Sequence, residues 1–152
     1  MVKCILNKIK DIFEEKDIKY YCEESIGCIG AGFPSSAMVF DVRPTSVELK
    51  MLVKGIIPED KQRKVQTYLN RVNCILKEGH MEMKNDGNVQ FRIYTDISEQ
   101  QDISEYRLLY LMAKGMAAVH DFSDGIRRVA LGEEEPDMAF EKVIEDVVKK
   151  SA

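Results

Sequence analysis

Residues 79 to 94 read GHMEMKNDGNVQFRIY, and apolar and polar side chains alternate on both sides of an Asp-Gly pair. A period of two on both arms specifies a β-hairpin with one apolar and one largely polar face. Parity then selects the turn. A two-residue loop would set Met83 against Gln90, apolar against polar. A three-residue loop, Asn85-Asp86-Gly87, pairs Lys84 with Asn88, Met83 with Val89 and Met81 with Phe91. It leaves Gly87 where a positive φ is needed. A slip of one residue would turn the whole apolar set to water.

The same period recurs earlier. Met38, Phe40 and Val42 alternate before Arg43-Pro44-Thr45-Ser46, and Val47, Leu49, Met51 and Val53 alternate after it. Pairing Val42 with Val47 sets Phe40 against Leu49 and Met38 against Met51. It also sets Asp41 against Glu48, a costly pair unless Arg43 or Lys50 lies close. Tyr20 to Glu23 and the Gly-rich Ile26 to Phe33 read as two further strands.

Helical spacing fills the rest. Ile5, Ile9, Ile12 and Phe13 share a face over residues 3 to 17. Ile57-Pro58-Glu59-Asp60 opens a second helix through Val65, Tyr68, Leu69, Val72, Ile75 and Leu76, with Gly79 as its C-terminal cap. Asp102-Ile103-Ser104-Glu105 reads as a capping box. It starts a third helix that carries Leu108, Leu109, Met112, Met116 and Val119 inward, with Phe122, Ile126 and Val129 as its continuation past Gly125 or, if Ser123-Asp124-Gly125 breaks it, as a separate piece. A last helix runs from Pro136, with Phe140, Val143, Ile144, Val147 and Val148 inward. The fold class is therefore α+β. An antiparallel sheet of five to six strands is packed by helices, in the order α-β-β-β-α-β-β-α plus a C-terminal helix.

The 152 residues fit one domain, 1-152. With 22 basic and 26 acidic residues the net charge is −4, which disfavours nucleic-acid or anionic-membrane binding. No apolar run could span a bilayer, and the charged N-terminus lacks a signal-peptide core, so cytoplasmic residence is the default.

The residues argue against most chemistry. Cys4, Cys22, Cys28 and Cys74 form no C-x-x-C pair, and the histidines are His80 and His120 alone, so no metal site is expected. Cys22 and Cys28 could meet across neighbouring strands, although reduced thiols are the simpler reading. Gly30-Ala31-Gly32-Phe33-Pro34-Ser35 shares the opening of a dinucleotide loop. It ends in Ser, however, and Pro34 opposes a helix start, so no cofactor is expected. A thin strand approached by a helix or another chain is the alternative. Neither histidine has a Ser or Cys partner by sequence logic, so the expectation is no catalytic residue and no enzyme. Val39, Leu52 and Tyr94 are apolar exceptions on the polar face of the sheet and are the candidate partner contacts.

One stretch carries a resemblance. In TYLNRVNCILKEGHMEMKNDGNVQFRI, residues 67 to 93, the features are Tyr68-Leu69-Asn70, Asn73, Gly79, the Asp86-Gly87 turn and Val89-Gln90-Phe91-Arg92. Gly132 followed by Pro136-Asp137-Met138-Ala139 adds to them. Together they resemble the YbjN family, named as candidate bacterial sensory transduction regulators. The resemblance implies a fold like that of type III secretion chaperones, which often dimerise and bind other polypeptides, and implies no enzymatic activity. It gives Asn70, Asn73, Gly79 and Gly87 structural roles. The expected function is a non-enzymatic, chaperone-like or regulatory module that binds an unidentified protein, as a homodimer. The alternative is a small-molecule sensor with a pocket between the sheet and the third helix.

Overall fold

A computed structural model describes residues 1–151. The elements are α1 (Val2–Glu15), β1 (Tyr21–Glu23), β2 (Cys28–Gly32), β3 (Ser36–Val42), β4 (Ser46–Ile56), α2 (Gln62–Ile75), β5 (His80–Met83), β6 (Asn88–Asp96), α3 (Glu105–Ala130) and α4 (Pro136–Ser151). The six strands form one antiparallel sheet in the order β1-β2-β3-β4-β6-β5. This is the α+β architecture that the alternating strands and helical stripes specify.

Both deduced registers are present. Met81 faces Phe91 and Met83 faces Val89 in the hairpin. Its loop closes with Gly87 N–H donating to the Lys84 carbonyl at 2.9 Å, and Gly87 has φ +88°. In the β3–β4 pair Val42 faces Val47, and Asp41 does face Glu48. The repulsion is relieved locally. Arg43 lies 3.0 Å from Asp41, and Glu48 is held by Lys50 at 3.6 Å and Arg92 at 2.8 Å.

All the helices lie on one side. Ile29, Phe40, Leu49, Phe91 and Ile93 point from the sheet into a core shared with Ile9, Phe13, Leu69, Leu111 and Val119. There α1 covers β2 and β3, α3 covers β4 and β6, and α2 backs β5, while α4 packs across α2 and α3.

Several boundaries differ from the periodic reading, each for a local reason. The capping box is replaced by a single cap: Ser104 Oγ accepts from Arg107 N–H at 3.0 Å. Asp102 is turned instead to Lys8 (2.7 Å) and its neighbouring amide. A turn of 3-10 helix, Glu59–Lys61, precedes α2, which ends at Ile75 rather than at Gly79. Gly79 lies beyond the helix, at φ +73°, where a Cβ would fall 2.5 Å from the Phe91 ring. It turns the chain into β5 under that ring. Ile75, Val148 and Met116 are exposed rather than inward.

The third helix does not break. It runs unbroken for 26 residues because the deviant glycine is a contact point. Tyr68 crosses beneath Gly125, fully buried, and its hydroxyl donates to the Phe122 carbonyl at 2.9 Å.

Candidate functional site

Because every described helix takes the same side, no described residues form a layer over the other face of the sheet. Alternation and register lay out its side chains in three rows. One row is Gly32, Ala37, Leu52, Gln90 and Glu82. The middle row is Tyr21, Gly30, Val39, Lys50, Arg92 and His80. The third is Glu23, Cys28, Asp41, Glu48 and Tyr94. Most of these positions are half-buried or exposed.

Val39, Leu52 and Tyr94 all lie on this face, but not as one patch. Val39 and Leu52 are half-buried on β3 and β4, whereas Tyr94 stands 65% exposed on β6 beside Glu48. The larger apolar opening is elsewhere. Tyr21 (72% exposed) and Ile26 (59%) border a shallow depression of about 660 Å³ whose floor is Gly30, Gly32, Ala37 and Val39. Sequence reasoning missed those two walls. The alternation of Gly and Ala at the outward positions of β2 and β3 was the available signal.

The face divides at its midline, between β3 and β4. On the β1–β3 side the outward side chains of β2 and β3 are small except Asp41, and Tyr21 and Glu23 stand on β1. On the β4–β5 side they are long and tied together. Arg92 donates to Glu48 through Nε (3.1 Å) and Nη2 (2.8 Å), and to Glu82 through Nη1 at 3.3 Å. Glu82 also accepts from Gln90 and meets His80 Nε2 at 3.2 Å. Burial pushes the Glu82 carboxyl up, but the hydrogen bonds from Gln90, His80 and Arg92 outweigh it and hold the group below the ordinary carboxylate value. A depressed folded pKa stabilises above the unfolded pKa and is lost as pH falls through the folded one. The melting temperature is therefore expected to fall between about pH 5 and pH 3, and less steeply in Glu82→Gln. Identical acid slopes in the two proteins would show that this network contributes nothing.

Of the motif residues, Asn73 and the two glycines make contacts between elements. Asn73 pairs with Met81 as a strand would: its Nδ2 donates to the Met81 carbonyl at 2.8 Å, and its Oδ1 accepts the Met81 N–H at 2.7 Å. Asn70 is exposed and accepts from Gln66 at 3.0 Å. At Gly87 a Cβ would press on the Ile57 carbonyl.

The cysteines are separated by the pleat. Cys22 is opposite Ile29 and Cys28 is opposite Glu23, so the two thiols are on opposite faces of the sheet and cannot pair across it. Burial, with Asp41 beside it, pushes the Cys28 thiol up and keeps it protonated and unreactive. His120 meets Lys150 Nζ at 3.1 Å on the helical side, far from His80 in the chain. Among the described residues no three His, Cys, Asp or Glu side chains gather as metal ligands. Nor is any helix among them long and apolar enough to cross a membrane.

On the helical side the glycines of α3 do not open space between helix and sheet. A Cβ at Gly115 would lie 2.7 Å from Met51 Cγ, so that contact is already closed. Openings occur at the ends. A cleft of about 470 Å³ lies between the far end of β4 and the last turns of α3, lined by Val53, Ile56, Ile126 and Leu131. A groove of about 450 Å³ between α3 and the chain that follows α1 is lined by Ile18, Phe33, Met38, Met112 and Met116.

No protein-family model matches the chain, and no curated protein matches it. Among solved structures it is similar to the crystal structure of YbjN from E. coli, described as a candidate transcription regulator. The TM-score is 0.53 over 75% of this chain and 84% of that one, at 8% sequence identity. At that identity the likeness is one of architecture, and what it shows is that this chain has a YbjN-like α+β fold.

Proposed function

We propose that the protein is a non-enzymatic, cytoplasmic module, regulatory or chaperone-like, that works by binding a polypeptide across the uncovered face of its sheet. The observation that carries this reading is the absence of any layer over that face, where Tyr21, Ile26 and Tyr94 stand exposed in the described chain. A six-stranded antiparallel sheet with one solvated face is usually polar there. Here Gly30, Gly32, Ala37 and Val39 make a small, apolar floor within it. The resemblance of residues 67 to 93 to YbjN regulators supports the same class.

A photo-crosslinking amino acid at position 94 tests it in cells of the source organism. A polypeptide adduct is expected from position 94 and none from position 138, which is equally exposed on α4. No adduct at 94 overturns the reading.

The second reading is a small-molecule sensor using the cleft between β4 and α3. Its apolar lining and its partial enclosure favour it. A ligand that raises the melting temperature in the wild type but not in Ala130→Trp would support that site.

A further inference from the structure

The geometry points to a second copy of this chain as the polypeptide on the uncovered face, packed sheet to sheet about a two-fold axis that runs along the strands between β3 and β4. This rests on the reading that the face binds a polypeptide, and it names the partner.

The argument begins with glycine. Gly32 lies in a strand, where glycine weakens pairing, and needs no positive φ. A Cβ built there would meet nothing within 4 Å. Nothing inside the chain calls for glycine at that position. A surface approaching from outside would.

The second half of the face has the shape that such a surface needs. A two-fold axis along the midline exchanges β3 with β4, β2 with β6 and β1 with β5, and keeps each row in place. In the middle row Gly30 then receives Arg92 of the second copy, and Val39 receives the stem of Lys50. In the outer rows Cys28 receives Tyr94, Gly32 receives Gln90 and Ala37 receives Leu52. Bulk meets hollow at these five pairs, as an isologous interface requires, while Tyr21 and His80 meet at the outer corners where the twisted sheets diverge. Asp41 and Glu48 of the two copies approach at the axis, but each already has a basic partner within its own chain.

The size is adequate. Six strands about 4.8 Å apart and roughly 20 Å long give a face on the order of 600 Å². A standard interface buries about 800 Å² per partner, and a rugged face exposes more than its flat area. Sheets that stack this way keep their strands aligned to within about 30°.

Light scattering of the whole chain over a concentration series reads the mass directly. A dimer is expected, and a monomer throughout overturns the proposal. Gly32→Val then places the interface. Compared at dilutions where both are monomers, the variant is expected to melt no lower than the wild-type chain, since the new side chain has free space, while its dimer dissociates at least tenfold more readily. Unchanged association overturns the proposed packing. Should Gly32→Val fail to fold, Tyr94→Ala tests the opposite side of the same contact at an exposed position, with the same tenfold expectation. Met138→Ala on α4 is the control and is expected to leave the mass unchanged. The two readings fail separately. A monomer whose position-94 adduct carries a different chain retains the binding face and removes the second copy.

Discussion

Gly125→Ala is expected to lower stability by about 3 kcal/mol, although alanine is the better helix former by about 1 kcal/mol. The reason is Tyr68. Its ring and hydroxyl occupy the space where the new Cβ would stand, and both are fully buried. The helix must move away from α2 or the phenol must leave the Phe122 carbonyl. Overpacking of this kind costs about 1–3 kcal/mol, and stranding a buried hydroxyl costs about 1–3 kcal/mol more. For a chain of this size the net loss is a fall of roughly 10 °C in Tm. Thermal melts of a double-mutant cycle check the cause. In a Tyr68→Leu background the steric conflict is gone, so Gly125→Ala should cost little or even stabilise through its helix propensity. Additive losses would place the strain elsewhere. Burial also pushes the Tyr68 phenol far above its ordinary pKa, so it stays a donor throughout the neutral range.

The second large effect is at Asn73. Truncation to alanine removes both hydrogen bonds to Met81 and leaves the N–H and C=O of a buried edge residue unpaired. Two such losses sum to about 2–4 kcal/mol, and alanine's better helix propensity returns only a few tenths. A net loss of about 2 kcal/mol in urea unfolding, with the slope unchanged, is the expected result. Asn73→Asp separates the two bonds. It keeps the acceptor for the Met81 N–H but sets a carboxylate against the Met81 carbonyl. It should therefore be less stable than the wild type at neutral pH and recover part of the loss in acid, when the carboxyl can donate. An Asp variant as stable as the wild type at pH 7 would show that the donor half of the pair is idle.

The sequence was most legible where alternation and burial agree. Strands β3, β4, β5 and β6 could be placed in register because their inward Met, Phe, Val and Leu side chains all had to reach one core. Asn73 could be read as a backbone partner because it lies at the edge of an apolar stripe. The misreadings share a cause of another kind. Ser123-Asp124-Gly125 is a local break signal, and it was overridden by a tyrosine 54 residues away whose hydroxyl binds the Phe122 carbonyl. Gly79 looked like a helix cap, yet its conformation is set by the Phe91 ring. Tyr21 and Ile26 could not be identified as walls of an opening, because that depends on the small residues facing them from β2 and β3. Pairwise tertiary contacts of this kind leave no periodic trace.

The side chain of Asn73 has a consequence for growth of the sheet. A free strand edge is a template on which further chains can add. If β5 were open, its edge could receive β1 of another molecule, and repetition of that head-to-tail contact would build a ribbon without end. Asn73 takes up the N–H and C=O of Met81 on that edge, which removes them as partners for an added strand. The remaining edge, β1, is only three residues long and offers a short template. Loss of the Asn73 amide is therefore expected to show itself as aggregation as well as in the melting temperature.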